Sequence, residues 1–71
     1  MQFSISTEEL AAYLNISMQS LRLRMRMAIL KMEGSGLGPL DMVEAKLLCL
    51  LNLSSEQISE LKHELGMTDL T

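Results

Sequence analysis

Arg22, Arg24, Arg26 and Lys31 place four positive charges within residues 18–32, and no acidic residue interrupts them. Guanidinium and ammonium groups at this density suit one kind of chemistry, holding anions through charge-assisted hydrogen bonds. Other reactive side chains are scarce. His63 is the one histidine and Cys49 the one cysteine. The helix pattern puts them on different elements, so no Ser/His/Asp or Cys/His set is expected. One cysteine excludes an internal disulfide and a cysteine-based metal site. Cys49 lies in an apolar run and is expected to be a buried small hydrophobe. His63 falls on a polar helix face, where no ligand or base role is expected. The carboxylates fall at helix starts or on solvent faces, where capping and solvation explain them. No enzyme activity, cofactor, metal or small-molecule substrate is expected.

Around this basic window the chain is acidic, with a formal net charge of −3. Residues 1–33 carry four cations against three acids, and residues 34–71 carry two against six. The acidity therefore belongs to the C-terminal half. At 71 residues the chain is one domain, 1–71, marginal in size and without a visible staple, so self-association is the expected route to extra stability. Leu and seven Met must build a core that has only Phe3 and Tyr13 as aromatics. The start "MQFSISTEEL" has no basic opening and no apolar block, so no signal peptide is expected. The run "LLCLLNL" is too short to span a bilayer. A soluble, cytoplasmic, non-membrane protein is the expectation.

Four helix starts position these residues. Ser6 with Glu9, Asp41 with Glu44 and Ser54 with Gln57 have capping-box spacing, and Ser17 can cap a further helix. Ile5/Leu10, Ile16/Leu21 and Leu53/Ile58 have the spacing of hydrophobic staples. These signals predict helices at about 7–14, 18–32, 42–51 and 55–65. "GSGLGP" (34–39) is the linker between the second and third, and Gly66 is the expected left-handed terminal cap. "LRLRMRM" (21–27) alternates as a strand would, and a ribbon-helix-helix would begin with such a strand. Its Leu, Arg and Met are helix formers with no β-branched residue among them, so helix is expected. Projected as a helix, Met18, Leu21, Met25, Ala28, Ile29 and Met32 form the buried stripe. Gln19, Arg22 and Arg26 line its flank, Leu23, Met27 and Leu30 form a second apolar strip, and Arg24 and Lys31 lie on the far side. The third helix is apolar almost all round apart from Glu44 and Lys46, as for a central buried helix or half of a dimer interface. The fourth offers the narrow stripe Ile58, Leu61 and Leu65.

"TEELAAYLNISMQSLRLRM" resembles the helix-turn-helix of phage repressors, Cro-like proteins and excisionase-type regulators. The resemblance covers about 20 residues (7–32 with the rest of the second helix), followed by a C-terminal helical hairpin over 41–66. Ala11 stands at the small position where the two helices cross, and Leu14 closes the first helix. Asn15, Ile16 and Ser17 replace the usual Gly, apolar, Ser/Thr turn, and Leu21 is the core residue of the second helix. Arg24 departs from the family, which usually has an apolar residue there. The chain is expected to be an all-α, four-helix, homodimeric domain, and the resemblance implies that its second helix enters the major groove of double-stranded DNA. It assigns DNA contacts to Ser17, Met18, Gln19, Arg22, Leu23 and Arg26: Gln19 toward adenine, Arg22 or Arg26 toward guanine or phosphate, Leu23 toward a thymine methyl, Ser17 toward a phosphate. The alternative is an antirepressor, a phage-encoded antagonist that uses the same fold to bind a transcription regulator. Its interface would use Leu23, Met27, Leu30, Leu47 and Leu51, because an exposed apolar strip on a small protein marks a contact surface.

Overall fold

The computed structural model describes residues 5–67. They form four helices and no strand: α1 (Thr7–Leu14), α2 (Met18–Met32), α3 (Met42–Leu51) and α4 (Ser55–Glu64). Each begins where a side-chain oxygen can take an orphan first-turn N–H. Ser6 Oγ accepts from the Glu9 N–H at 3.1 Å and Ser17 Oγ from the Ser20 N–H at 3.1 Å. At α3 and α4 the capping is reciprocal. Asp41 accepts from the Glu44 N–H (2.7 Å), while Glu44 accepts from the Asp41 N–H (3.0 Å). Ser54 and Gln57 exchange the same pair of bonds. At Ser6 only the forward half of the expected box forms.

The helix ends are equally local in origin. Asn15 turns left-handed (φ 56°, ψ 46°), and the Ile16 N–H reaches back to the Ala11 carbonyl at 3.0 Å. This Schellman closure stops α1 and turns the chain over residues 15–17 into α2. Gly34 and Gly66, both with positive φ, close α2 and α4 in the same way, through Ser35 N–H to Leu30 O and Met67 N–H to Lys62 O. α3 ends on a second left-handed asparagine, Asn52, which the sequence reading did not single out.

α2 is the hub. It packs against α1, α3 and α4, and the main contacts of α3 and α4 are with it. Its buried residues are Leu21, Met25, Ala28 and Ile29, the middle of the expected stripe, while Met18 and Met32 at its two ends are exposed. Around this stripe gather Leu10 and Ala11 from α1, Leu47 and Leu51 from α3, Leu61 from α4, and Leu65 and Met67 beyond it. Ile5, Ile16 and Leu53, the outer halves of the three staples, pack against the same cluster. "LRLRMRM" is helical throughout, so its alternation does not set the backbone.

α3, apolar almost all round in sequence, turns one face inward. Its buried residues are Glu44, Leu47 and Leu51, at i, i+3 and i+7, while Cys49 is exposed. The expected buried Cys49 is thus corrected: the face that buries Glu44, Leu47 and Leu51 turns it outward. Cys49 lies on the opposite side from the Glu44–Leu47–Leu51 stripe, together with Met42, which is 75% exposed. No helix among the described residues is long and apolar enough to cross a membrane.

Candidate nucleic-acid interface

α2 has two charged flanks. At 100° per residue, Gln19, Arg22, Leu23 and Arg26 share an arc of about 100°, whereas Arg24 and Lys31 lie within about 20° of each other on the other side of the core stripe. The first flank faces solvent. Ser17, Met18, Gln19, Arg22, Leu23 and Arg26, the residues expected to contact DNA, are all exposed, with Leu23 at 56%. No hydrogen bond or ion pair among the described residues engages either the Arg22 or the Arg26 guanidinium. The Ser17 hydroxyl is occupied: it accepts from the Ser20 N–H and donates to Ser20 Oγ at 3.1 Å.

The second flank is neutralised within the chain. Lys31 Nζ donates to Glu44 Oε1 at 2.7 Å, and Glu44 is 1% exposed. Arg24 bonds Asp41 and stands 3.6 Å from the other Glu44 oxygen. Each Glu44 carboxylate oxygen therefore has a cationic neighbour, and no buried side-chain polar atom among the described residues lacks a partner. This satisfies the requirement for burying a charge. The Lys31 hydrogen bond, helped by the Asp41 N–H, holds the Glu44 carboxyl below its usual range, although burial and the neighbouring Asp41 charge oppose it. The Glu44 N–H does the same for Asp41, with Arg24 adding to it. Arg24, the departure from the helix-turn-helix pattern, is thus explained: it meets the capping box of α3.

Sequence reasoning missed this four-residue cluster. The available signal was Arg24 and Lys31 at i and i+7 on one face of α2, opposite a helix with one acid in register with its leucines.

The five residues expected at a protein interface are divided. Leu47 and Leu51 lie in the core of the chain itself and present no surface for a partner. Leu30 is half-buried and packs on the core, Met27 is half-buried, and Leu23 is open. Other large apolar side chains are exposed that were not singled out, namely Tyr13 near the end of α1, Leu37 and Leu40 in the connector, and Met42. Among the described residues no group of three or more His, Cys, Asp or Glu could hold a metal ion. Comparison of the chain with protein-family models, with curated proteins and with solved structures finds no match.

Proposed function

We propose that this chain is a small helix-turn-helix regulator, acting as a homodimer, that binds double-stranded DNA through the outer flank of α2. One observation carries the reading. Arg22 and Arg26 are exposed and have no acidic partner among the described residues, while Asp41, Glu44 and Glu33 are each engaged by a cation elsewhere. The acidity of the chain is therefore partly neutralised away from this flank, and the flank keeps a positive edge with Gln19 and Leu23 beside it. Arginine forks suit guanine edges and phosphates, glutamine suits adenine, and leucine suits the thymine methyl. The left-handed Asn15 turn between α1 and α2 agrees with the tight connection this motif requires. A dimer would present two such edges to successive half-sites about one helical turn apart.

The test is binding to fluorescent genomic duplex fragments at low salt. The double variant Arg22→Ala/Arg26→Ala is expected to lose binding at least about tenfold, and its salt slope should fall by nearly two, at about 0.9 per phosphate contact. Unchanged affinity in a folded double variant overturns the reading.

A second reading is favoured by the apolar strip beside the arginines: an antagonist that binds a transcription regulator through Leu23, Met27 and Leu30, with Leu23 the most open of the three. It predicts that the pure protein retains no nucleic acid and captures such a regulator from host extract.

A further inference from the structure

Two ion pairs meet at the seam between α2 and α3, and they differ in their access to water. Lys31–Glu44 is enclosed, with side chains 12% and 2% exposed. Arg24–Asp41 is open, with side chains 39% and 43% exposed. Together the two cations and two carboxylates sum to zero. An enclosed pair exchanges poorly because either partner would be left desolvated, whereas an exposed pair is screened and exchanges with other ions in solution. If Asp41 swings out, it gives up both Arg24 and its cap on the Glu44 N–H; Lys31 keeps the Glu44 carboxylate satisfied, and the cluster carries one net positive charge beside a freed helix N–H. That charge lies on Arg24, beside the N-terminus of α3, where oriented N–H groups favour an anion.

We propose that Asp41 is an internal competitor for Arg24. It occupies the guanidinium as a DNA phosphate would, so that the anion-binding capacity of α2 is held one cation short until a phosphodiester displaces the carboxylate. This inference rests on the DNA-binding reading for the source of the phosphate. It adds a contact on the flank opposite to Arg22 and Arg26, so the two flanks of one groove-lying helix would face the two backbones. Lys31 takes no part in the exchange, because its removal would take the closest cation from the buried Glu44 carboxylate.

The variant Asp41→Asn tests this without removing the helix cap, since asparagine caps as well as aspartate. Asp41→Ser is the second variant, also a good cap and also uncharged. Two measurements are made on the full chain: duplex DNA affinity against salt, and the Arg24 side-chain Nε–H NMR signal during titration with inorganic phosphate. Both variants are expected to bind duplex about two- to fivefold more tightly at low salt, with a salt slope steeper by about one phosphate contact. Adding Arg24→Gln to either should erase the gain. The Arg24 signal should move with phosphate in the variants at concentrations that leave the native chain unchanged. If native and variant chains bind duplex with equal affinity and slope, the competitor role is overturned while the DNA reading stands. Should no form bind duplex, the DNA reading falls and the phosphate titration decides. Movement of Arg24 in the variants alone then upholds the exchange for another phosphate-bearing ligand, and no movement overturns it.

Discussion

The two flanks of α2 begin with the same residue types and end in opposite states. Arg22 and Arg26 project into water without a partner among the described residues, while Arg24, between them in the chain, and Lys31, just beyond, are neutralised by Asp41 and Glu44. Counting charges along the sequence misleads in both directions. Four cations in residues 18–32 become two that face outward, and two of the acids that seemed to oppose a polyanion are held at the seam with α3. Position around the helix, not position along it, decides which charge is available. The reason is what each cation meets: Lys31 is enclosed with Glu44 and screened little by solvent, Arg24 meets Asp41 at the open rim of the same seam, and Arg22 and Arg26 pair with no carboxylate among the described residues.

The largest effect that would break this contrast is at Glu44. Glu44→Ala removes the return bond of the α3 capping box and leaves Lys31 mostly enclosed without a carboxylate. Removing one partner of a buried pair costs several kcal/mol. For a cluster this near the surface of a small domain we expect about 2–4 kcal/mol, a large share of the 5 kcal/mol or so that stabilises a marginal fold. Arg22→Ala and Arg26→Ala, on the solvated flank, should each stay within about 0.5 kcal/mol. Urea midpoints at neutral pH measure all three. Equal losses would mean that both flanks are structural and that the contrast is illusory. The double replacement Lys31→Met/Glu44→Leu, which removes both charges together, should recover much of the loss.

What could be read from the chain, and what could not, follows the same division between local and tertiary causes. All four helix starts were legible, because Ser6, Ser17, Asp41 and Ser54 act on N–H groups three residues away, independent of the rest of the fold. The turn at Asn15 and the stop at Gly66 were legible for the same reason. The phase of α3 was not. A helix apolar on nearly every side has no preferred face of its own, so what lies across from it must choose. Here Arg24 and Lys31 draw Glu44 inward, Leu47 and Leu51 follow by spacing, and Cys49 is turned out. Leu47 and Leu51, named for a protein interface in the antagonist reading, are buried in the chain's own core. On α2 itself a strong stripe fixed the phase, so the exposure of Gln19, Arg22, Leu23 and Arg26 could be anticipated.

Acid should sharpen the contrast by acting on one flank alone. Both Asp41 and Glu44 have their carboxyl groups held below the ordinary range in the folded chain. A depressed folded value means that the charged form favours folding. The contribution is complete above the unfolded values, near 4, and is lost as pH falls through the lower folded ones. The urea midpoint should therefore be level from about pH 7 to 5 and fall below about pH 4.5. Glu44→Gln should start from a lower plateau and fall less steeply, because one of the linked protons is gone. Arg22→Ala/Arg26→Ala should keep the native acid limb. A midpoint indifferent to pH down to about 3 would show that the seam carboxylates gain nothing from their cations.

The smallest effect is expected at a third ion pair, which tests whether enclosure is the variable that matters. Lys62 of α4 donates to both oxygens of Glu33, at 3.2 and 2.9 Å, and so ties α4 to the end of α2. It spans a larger sequence separation than the Lys31–Glu44 pair, and its distances are ordinary for an ion pair. Its side chains, however, are 28% and 41% exposed, so water competes for both partners. Lys62→Gln should cost no more than about 0.5 kcal/mol. That difference should vanish in about 1 M salt, where the screening length shrinks to roughly 3 Å. The cost of Glu44→Ala should persist under the same salt. If Lys62→Gln instead matches Glu44→Ala, or resists salt as it does, enclosure does not separate one ion pair from another here, and the two flanks of α2 differ for some other reason.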